Sequence, residues 1–273
     1  MPAWVGGLAL AGTFLGLLWL ERRRPLRKRE VEPKVVHTAR NLAVAGLSAA
    51  AIQLAEQPLV APLARRVARR RIGLVQRLPL PGWARTALAV LLLDYTLYLW
   101  HVLTHRVDGL WRFHQPHHAD LDMDASTALR FHFGEMLASV PWRAAQVAAI
   151  GAGPFALSLW QTLVVVEILF HHSNVELPAE VERRLAWVIV TPRMHGIHHS
   201  IVREEADSNW SNLLSVWDRL HGTLRLDVPQ DEVTIGVAAL REPADVTLPR
   251  VLAMPFEEQH DAWVLPDGTR PRR

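Results

Sequence analysis

Apolar and polar positions along this chain separate into long blocks rather than short alternations. Residues 4–20 carry no charge and close on Glu21 and the basic segment RRRPLRKR at 22–29. The run is near the ~20 residues that a helix needs to cross a bilayer. A cleaved signal peptide would carry its charges before the apolar run and a small-residue cleavage site after it. The reverse order predicts a signal-anchor helix whose C-terminal end is cytoplasmic, since cytoplasmic loops collect Lys and Arg. Residues 42–64 form a second apolar segment, broken by Glu56, Gln57 and Pro58, which predicts a span with a kink or early exit. Arg65, Arg66, Arg69 and Arg70 then recur at helical spacing opposite Leu63, Val67 and Ile72, the pattern of an interfacial helix against anionic headgroups.

Residues 84–103 are a third apolar run, ending at His101 and His105. Two shorter runs between 133 and 170 are separated by Gly151, Ala152, Gly153 and Pro154, a turn signal. Each is short for a crossing, and together they predict a hairpin that enters and returns. That parity brings His132, His171 and His172 to the same side as His101 and His105. One conflict accompanies it, because a cytoplasmic histidine side leaves the basic residues 65–71 outside, against the usual charge bias. Beyond residue 174 the chain reads as a polar cap, in which residues 177–192 form an amphipathic helix leading to His195, and residues 266–273 a disordered tail. The expected fold is an all-α integral membrane helical bundle, about three spans plus a helical hairpin, with a cytoplasmic helical cap carrying a polyhistidine dimetal site. Three segments follow: 1–82 with the N-terminal spans and the basic interfacial stretch, 83–225 with the histidine clusters, and 226–273 as a C-terminal extension.

Composition agrees with a membrane class. Half the residues are apolar and 21% charged, as when long spans dilute ordinary charge content. A net charge of +3 gives no reason to expect nucleic acid as a partner. Cysteine is absent, which removes disulfides, thiolate catalysis and iron–sulfur ligation by this chain and leaves nitrogen and oxygen as metal donors. HExxH, GxGxxG, P-loop and GxSxG patterns are missing too, so zinc-protease, nucleotide, flavin and serine-hydrolase chemistry lack their motifs.

The histidines change the picture most. Six of the fourteen fall between residues 94 and 137. His101 and His105 stand four apart; His114, His117 and His118 form HxxHH; His132 follows; a second HxxHH, His195, His198 and His199, lies downstream. Residues three and four apart share a helix face, so each cluster can aim its imidazoles into one pocket. Two triads and a pair give eight nitrogens, more than one tetrahedral zinc uses and enough for two ions with open positions. Ligand imidazoles need an acceptor on their other nitrogen, and Asp94, two turns before His101, and Glu135, three residues after His132, are placed for it. His37, His221 and His260 stand alone and read as surface or locally bonded.

At these residues the sequence resembles the fatty acid hydroxylase/sterol desaturase superfamily of integral membrane non-haem diiron oxygenases. DYTLYLWHVLTH is similar to its DxxxYxxHRxxH helix, with Val102 in place of Arg. LWRFHQPHH resembles LWxxHxxHH, TALRFHFGEM resembles RxHPxE with Phe133 for Pro, and FHHSN resembles the HSN box. TPRMHGIHHS resembles the closing HxxHH, and NWSNLLSVWDRLHGT the NYGxxLxxWDRLFGT ending, from which Trp210, Ser211 and His221 depart. These boxes span residues 21–225. The resemblance implies His101, His105, His114, His117, His118, His172, His195, His198 and His199 as metal ligands, with His132 as a tenth or as a partner of Glu135, and His171 as an extra histidine. It makes Asn174 and Asn209 supporting or capping groups, and Asp218 a tie between the WDRL segment and the pocket.

It further implies two iron ions, O2 as co-substrate and a separate electron donor such as a ferredoxin, cytochrome or reductase. The reaction would be hydroxylation of a C–H bond in a membrane lipid or sterol-like substrate, or desaturation, in a multi-pass protein of a bacterial inner membrane with its metal site cytoplasmic. Two other classes fit the histidines alone: a non-catalytic membrane metal-binding protein, which would line a crossing pathway with ionisable residues, and a zinc hydrolase of lipids, which would need a general base but neither O2 nor electrons.

Overall fold

The computed structural model describes residues 3–28 and 30–272. Arg29, in the basic block, and Arg273, at the end of the tail, lie outside the described residues. Among the described residues there are helices and isolated bridges but no strand. In chain order the helices are α1 (Ala3–Arg23), α2 (Lys34–Ala51), α3 (Gln57–Arg70), α4 (Leu74–Arg77), α5 (Gly82–Arg106), α6 (Asp108–His118), α7 (Phe133–Gln146), α8 (Pro154–His172), α9 (Ala179–Leu185), α10 (Pro192–His198), α11 (Arg203–Ala206), α12 (Val216–His221) and α13 (Leu248–Ala253).

Four helical stretches are long and apolar enough to cross a membrane: Trp4–Arg23, Lys34–Arg77, Gly82–Arg106 and Pro154–His172. Their outer faces are apolar, with Leu8 66%, Leu15 65% and Leu54 80% exposed. Such faces suit hydrocarbon, which solvates Leu as well as a protein core does.

α1, α5 and α8 end at one pole of the bundle, and α2 and α7 begin there. Pro25 pairs with Val175, joining the ends of α1 and α8, and His37 on α2 bonds Asp120 beyond α6. The opposite pole holds the short connections after α3 and α7. There Gly73 sits at φ 88° so close to Gly151 that an added Cβ would lie 2.3 Å from its backbone nitrogen, and Gln76 donates to the Gly151 carbonyl at 2.7 Å. The GAGP turn is visible in the sequence; the glycine that receives it is not. Val60, Val67, Leu93, Ile150 and Trp160 pack this pole, while Val44, Leu121, Val237 and Val251 bind residues beyond 226 to α2 and the cap.

Three local readings change. The broken second segment and the basic helix are one continuous helical path, because a π turn, Ile52–Glu56, absorbs the break. The Gln57 N–H reaches back to the Ile52 carbonyl, and Pro58, with no N–H to give, follows directly. The second arm of the hairpin, α8, is long enough to cross by itself, since Glu167 and both terminal histidines stay within the helix. The first arm holds Pro141 and ends in a second π turn, Val147–Gly151. Finally, residues 177–192 are not one helix. α9 stops at Leu185, and Ile189 pairs with Leu214, because the WVIV stretch favours extended structure; the short α10 then starts at Pro192 behind a Thr191 cap.

Candidate metal centre

A single extended residue, Val107, separates α5 from α6, so the HxxxH helix turns sharply into the first HxxHH helix. The corner sets the His101 and His114 rings 5.2 Å apart and the His105 and His118 rings 4.7 Å apart. α10 brings the second HxxHH against them, and the end of α8 adds His172. Nine imidazoles meet in two groups. His101, His105, His114, His118 and His198 form one, and His117, His172, His195 and His199 the other, each with one nitrogen per ring within 4.8 Å of the rest.

Each HxxHH is thus divided between the groups. Its first and last histidines, one turn apart, go to one group and its middle histidine to the other. Helix geometry explains this, since the i and i+4 side chains are nearly aligned while the i+3 side chain leaves at an angle of about 60° from the first. The facing helices exchange middle members, so His198 joins the α5 pair and His117 joins His195.

The rings are held by their outer nitrogens. His101 Nδ1 donates to the Trp210 carbonyl, His198 Nδ1 to the Ser208 carbonyl and His172 Nδ1 to the Ile168 carbonyl, each at 2.8 Å. His114 Nδ1 is 3.1 Å from Glu135 Oε2. These bonds fix the tautomer that leaves Nε2 with a free lone pair. Buried and without protein partners are Nε2 of His114 and His198, both nitrogens of His105 and His118, and Nδ1 of His117, His195 and His199. An unsatisfied buried polar atom costs about 1–3 kcal/mol, so the unpartnered nitrogens of the first group fit a bound cation, while Nδ1 of His117, His195 and His199 lies on the outer side of rings whose Nε2 atoms face one another. In the second group Nε2 of His172 stands 3.1 Å from those of His117 and His195, and His199 Nε2 is 3.2 Å from His195 Nε2. Nitrogens about 2.1 Å from one ion would be about 3.0 Å apart at right angles and about 3.4 Å at tetrahedral angles.

Burial first, and then the neighbouring imidazoles, hold His117, His118, His195 and His199 well below the usual histidine range. Burial pushes His198 down to about 3. Neutral imidazole is the form that binds a metal. The donor set, all nitrogen and no thiolate, suits first-row transition metals.

The remaining sequence candidates divide by what they touch. Glu135 meets a ring directly. Asp94 does not: its Oδ2 accepts from Trp217 Nε1 at 2.6 Å and from Leu214 N at 3.2 Å, fastening α5 to α12 and the residues just before it. Asp218 accepts from the Trp210 and Ser211 amides and the Thr223 hydroxyl, fixing the loop whose Trp210 carbonyl orients His101. Asn209, at φ 54°, bridges Met194 O on α10 and Arg225 O. Asn174 pairs with the backbone of Arg27 and reaches no histidine.

His132 stands outside both groups. Its Nδ1 caps α7 by accepting from the Gly134 amide at 3.0 Å, and its Nε2 faces the Leu252 carbonyl at 3.2 Å; both nitrogens are spent on backbone. His171 is fully buried with its ring 4.0 Å from that of His195, yet it too lies outside the groups, 4.0 Å from Glu167.

A second buried constellation escaped the sequence reading. His37, expected to be surface or locally bonded, is 1% exposed, with Nε2 2.9 Å from Asp120 and Nδ1 3.3 Å from Asp124. Arg40 clamps Glu32 with two bonds of 2.6 Å and reaches Asp120 at 3.2 Å. Asn41 links Asp120 to Arg130, which also donates to the Pro116 carbonyl in the first HxxHH helix. Burial alone would raise Asp120; the adjoining His37 and Arg130 hold it far below the usual carboxylate range instead. The available signals were the HxxRN run at 37–41 and the alternating acids of DLDMD at 120–124.

A cavity of about 470 Å³ opens onto both groups. His101, His114, His117, His172 and His195 form its polar end, and Leu97, Trp100, Leu129, Val164, Val165 and Ile168 its walls. Its size is within the range of small-molecule sites.

A family model described as fatty acid hydroxylase matches residues 86–223. Among curated proteins, an ornithine lipid hydroxylase of Rhizobium tropici is 31% identical over 154 residues, covering 56% of this chain and 45% of its own. The alkylglycerol monooxygenase of Homo sapiens is 27% identical over 154 residues, covering 55% and 32%, and the cholesterol 25-hydroxylase of Mus musculus 26% identical over 141 residues, covering 50% and 46%. The matched region spans less than half the length of these relatives. No solved structure matches the chain.

Proposed function

Because this chain belongs to the fatty acid hydroxylase family, we propose that it hydroxylates a C–H bond of a membrane lipid with O2 at a diiron centre. The observation that carries the reading is the apolar cavity ending on the two histidine groups. An apolar substrate needs an apolar route to an oxidant, and an oxidant needs protection from water. In this reading His101, His105, His114, His118 and His198 hold one iron, and His117, His172, His195 and His199 the other. His132 instead caps the hairpin. Bound iron would supply the redox chemistry, in which O2, two electrons, two protons and R–H give R–OH and water.

The residues of the chain do the rest. Glu135 holds the His114 ring in the tautomer that directs Nε2 inward. The Asp218-organised loop does the same for His101 through the Trp210 carbonyl. Phe131 lies flat on His117, with ring centroids 4.3 Å apart and planes 13° apart, covering it from water. The leucine, valine and tryptophan walls admit alkyl chain and exclude solvent. Electrons come from a separate ferredoxin, cytochrome or reductase, which places the histidine pole on the cytoplasmic face of a bacterial inner membrane, where such donors are reduced.

Lipid extracts of cells expressing the protein, compared with extracts from cells carrying His117→Ala, test this. A lipid species heavier by one oxygen that appears only with the wild-type protein and only in air is the expected result. Identical lipid profiles under a proven electron supply contradict it, and a species lighter by two hydrogens replaces hydroxylation with desaturation.

A further inference from the structure

The cavity is apolar along its walls but not at the end away from the histidines. Glu56, in the first π turn, and Arg143, on α7, both line it there. Glu56 is only 5% exposed; among the described residues its carboxylate acts electrostatically on Arg143, with no hydrogen bond or close ion pair formed. Arg143 lies over the Trp160 ring at 4.4 Å and gives one nitrogen to Gln146 at 2.6 Å, while its Nε has no partner. The π turn packs against α7, so the two charges are neighbours, yet no ion pair joins them. Ionisable groups within a membrane bundle are costly and need something to meet them.

The chemistry of the pair narrows what can meet it. Glu56 offers only acceptors and Arg143 only donors. A carboxylate or phosphate would face the like charge of Glu56, and an ammonium that of Arg143. A hydroxyl satisfies both, donating its O–H to the carboxylate while its oxygen accepts from the guanidinium. It is also the cheapest of these groups to bring into an apolar cavity. Arg143 lies eight residues beyond Glu135 on the same helix, about 12 Å of backbone rise, so the pair is set on the order of 10 Å from the histidine end.

The geometry points to Glu56 and Arg143 as a subsite that grips a hydroxyl at one end of the substrate and sets which carbon reaches the metal centre. The inference rests on the lipid-oxidising reading of the cavity and adds to it a substrate class: an apolar lipid bearing a hydroxyl on the order of 10 Å from the carbon that is oxidised. Residues 139 and 143 continue the α7 face that begins at Glu135, and Ser139 lines the cavity between the two ends, so one helix measures the distance.

Competition against tritiated 1-hexadecanol on the full chain in detergent micelles, read by scintillation proximity, tests the subsite without O2 or electrons. Unlabelled 1-hexadecanol should displace the label at a concentration about tenfold lower than hexadecane, hexadecanoate or hexadecylamine, the loss expected for a charge-assisted hydrogen bond. Glu56→Leu and Arg143→Leu should each bring the alcohol down to the level of the alkane, with Glu56→Gln between. The comparison within the wild-type protein needs no variant to fold. No saturable alcohol binding, or an alcohol no better than the alkane, overturns the subsite; a better carboxylate or amine overturns the hydroxyl. Alcohol selectivity without any oxygenated lipid in cells would instead keep the subsite and remove the oxidation.

Discussion

Two buried histidine constellations lie side by side at one pole of the bundle and have opposite electrostatics. In the nine-histidine centre the rings meet one another, Glu135 is, among the described residues, the one carboxylate bonded to a ring of the two groups, and several inward nitrogens have no partner. Around His37 every ring nitrogen faces a carboxylate, and Arg40 and Arg130 close the network. Burial is equal, so burial does not separate a ligand from a structural histidine. Pairing does: the first set has lone pairs to give to cations, and the second already contains its own countercharges.

The sharpest way to break the contrast is to remove one ring from each set. His198→Ala is expected to abolish metal loading in its group and lower turnover by ~100-fold or more, beyond the 10–100-fold typical of groups that only orient ligands. Metal analysis and oxygenated-lipid yield on one preparation check it. Asp120→Ala should act on stability, costing about 3–5 kcal/mol because it leaves Arg130 without a carboxylate and His37 with Asp124 alone in the interior. Its thermal melt should fall while the metal content of the folded fraction stays at the wild-type value. Loss of metal from that folded fraction would merge the two sets. Glu135→Gln should weaken metal affinity about 10–100-fold, measured by chelator competition, with the His114 ring less firmly oriented.

Acid acts on the same contrast through the protonation of the rings. His117, His118, His195, His198 and His199 are held below the usual range, so in the metal-free protein they stay neutral where the unfolded chain protonates. The unfolded state then binds more protons, and stability falls as pH drops below about 6.5, by about 1.4 kcal/mol per unit per histidine. Denaturant unfolding of metal-free protein should show stability falling by about 1.4 kcal/mol per histidine over the whole interval from pH 7.5 to 5.5. A flat profile would mean that the rings are already charged or solvated. The smallest effect belongs to His260, exposed on the C-terminal segment, whose replacement by Ala should leave turnover and metal content unchanged.

The spacing of the histidines made the centre legible, because HxxxH and HxxHH state which rings share a helix face. The division of each HxxHH between two groups was not legible, since it depends on how α10 meets α6. His132 shows the limit from the other side. In sequence it is one more histidine near a glutamate, but its Nδ1 is taken by the Gly134 amide, and the need of a helix start for an acceptor decides its place. Long apolar runs announced the helical bundle. The π turns did not announce themselves, because a break such as Glu56, Gln57, Pro58 can end a helix or be absorbed within one. Backbone acceptors at Ile168, Ser208 and Trp210 have no signature at all, as every residue carries a carbonyl.

Nine histidines in two groups make two cation sites the arrangement to test. Metal content per chain, measured on protein produced in iron-supplied cells and compared with His105→Ala and His195→Ala, tests it most directly. Two ions are expected in the wild-type protein, with a loss confined to one site in each variant. One ion or none in folded wild-type protein, or variants that keep both, would contradict it.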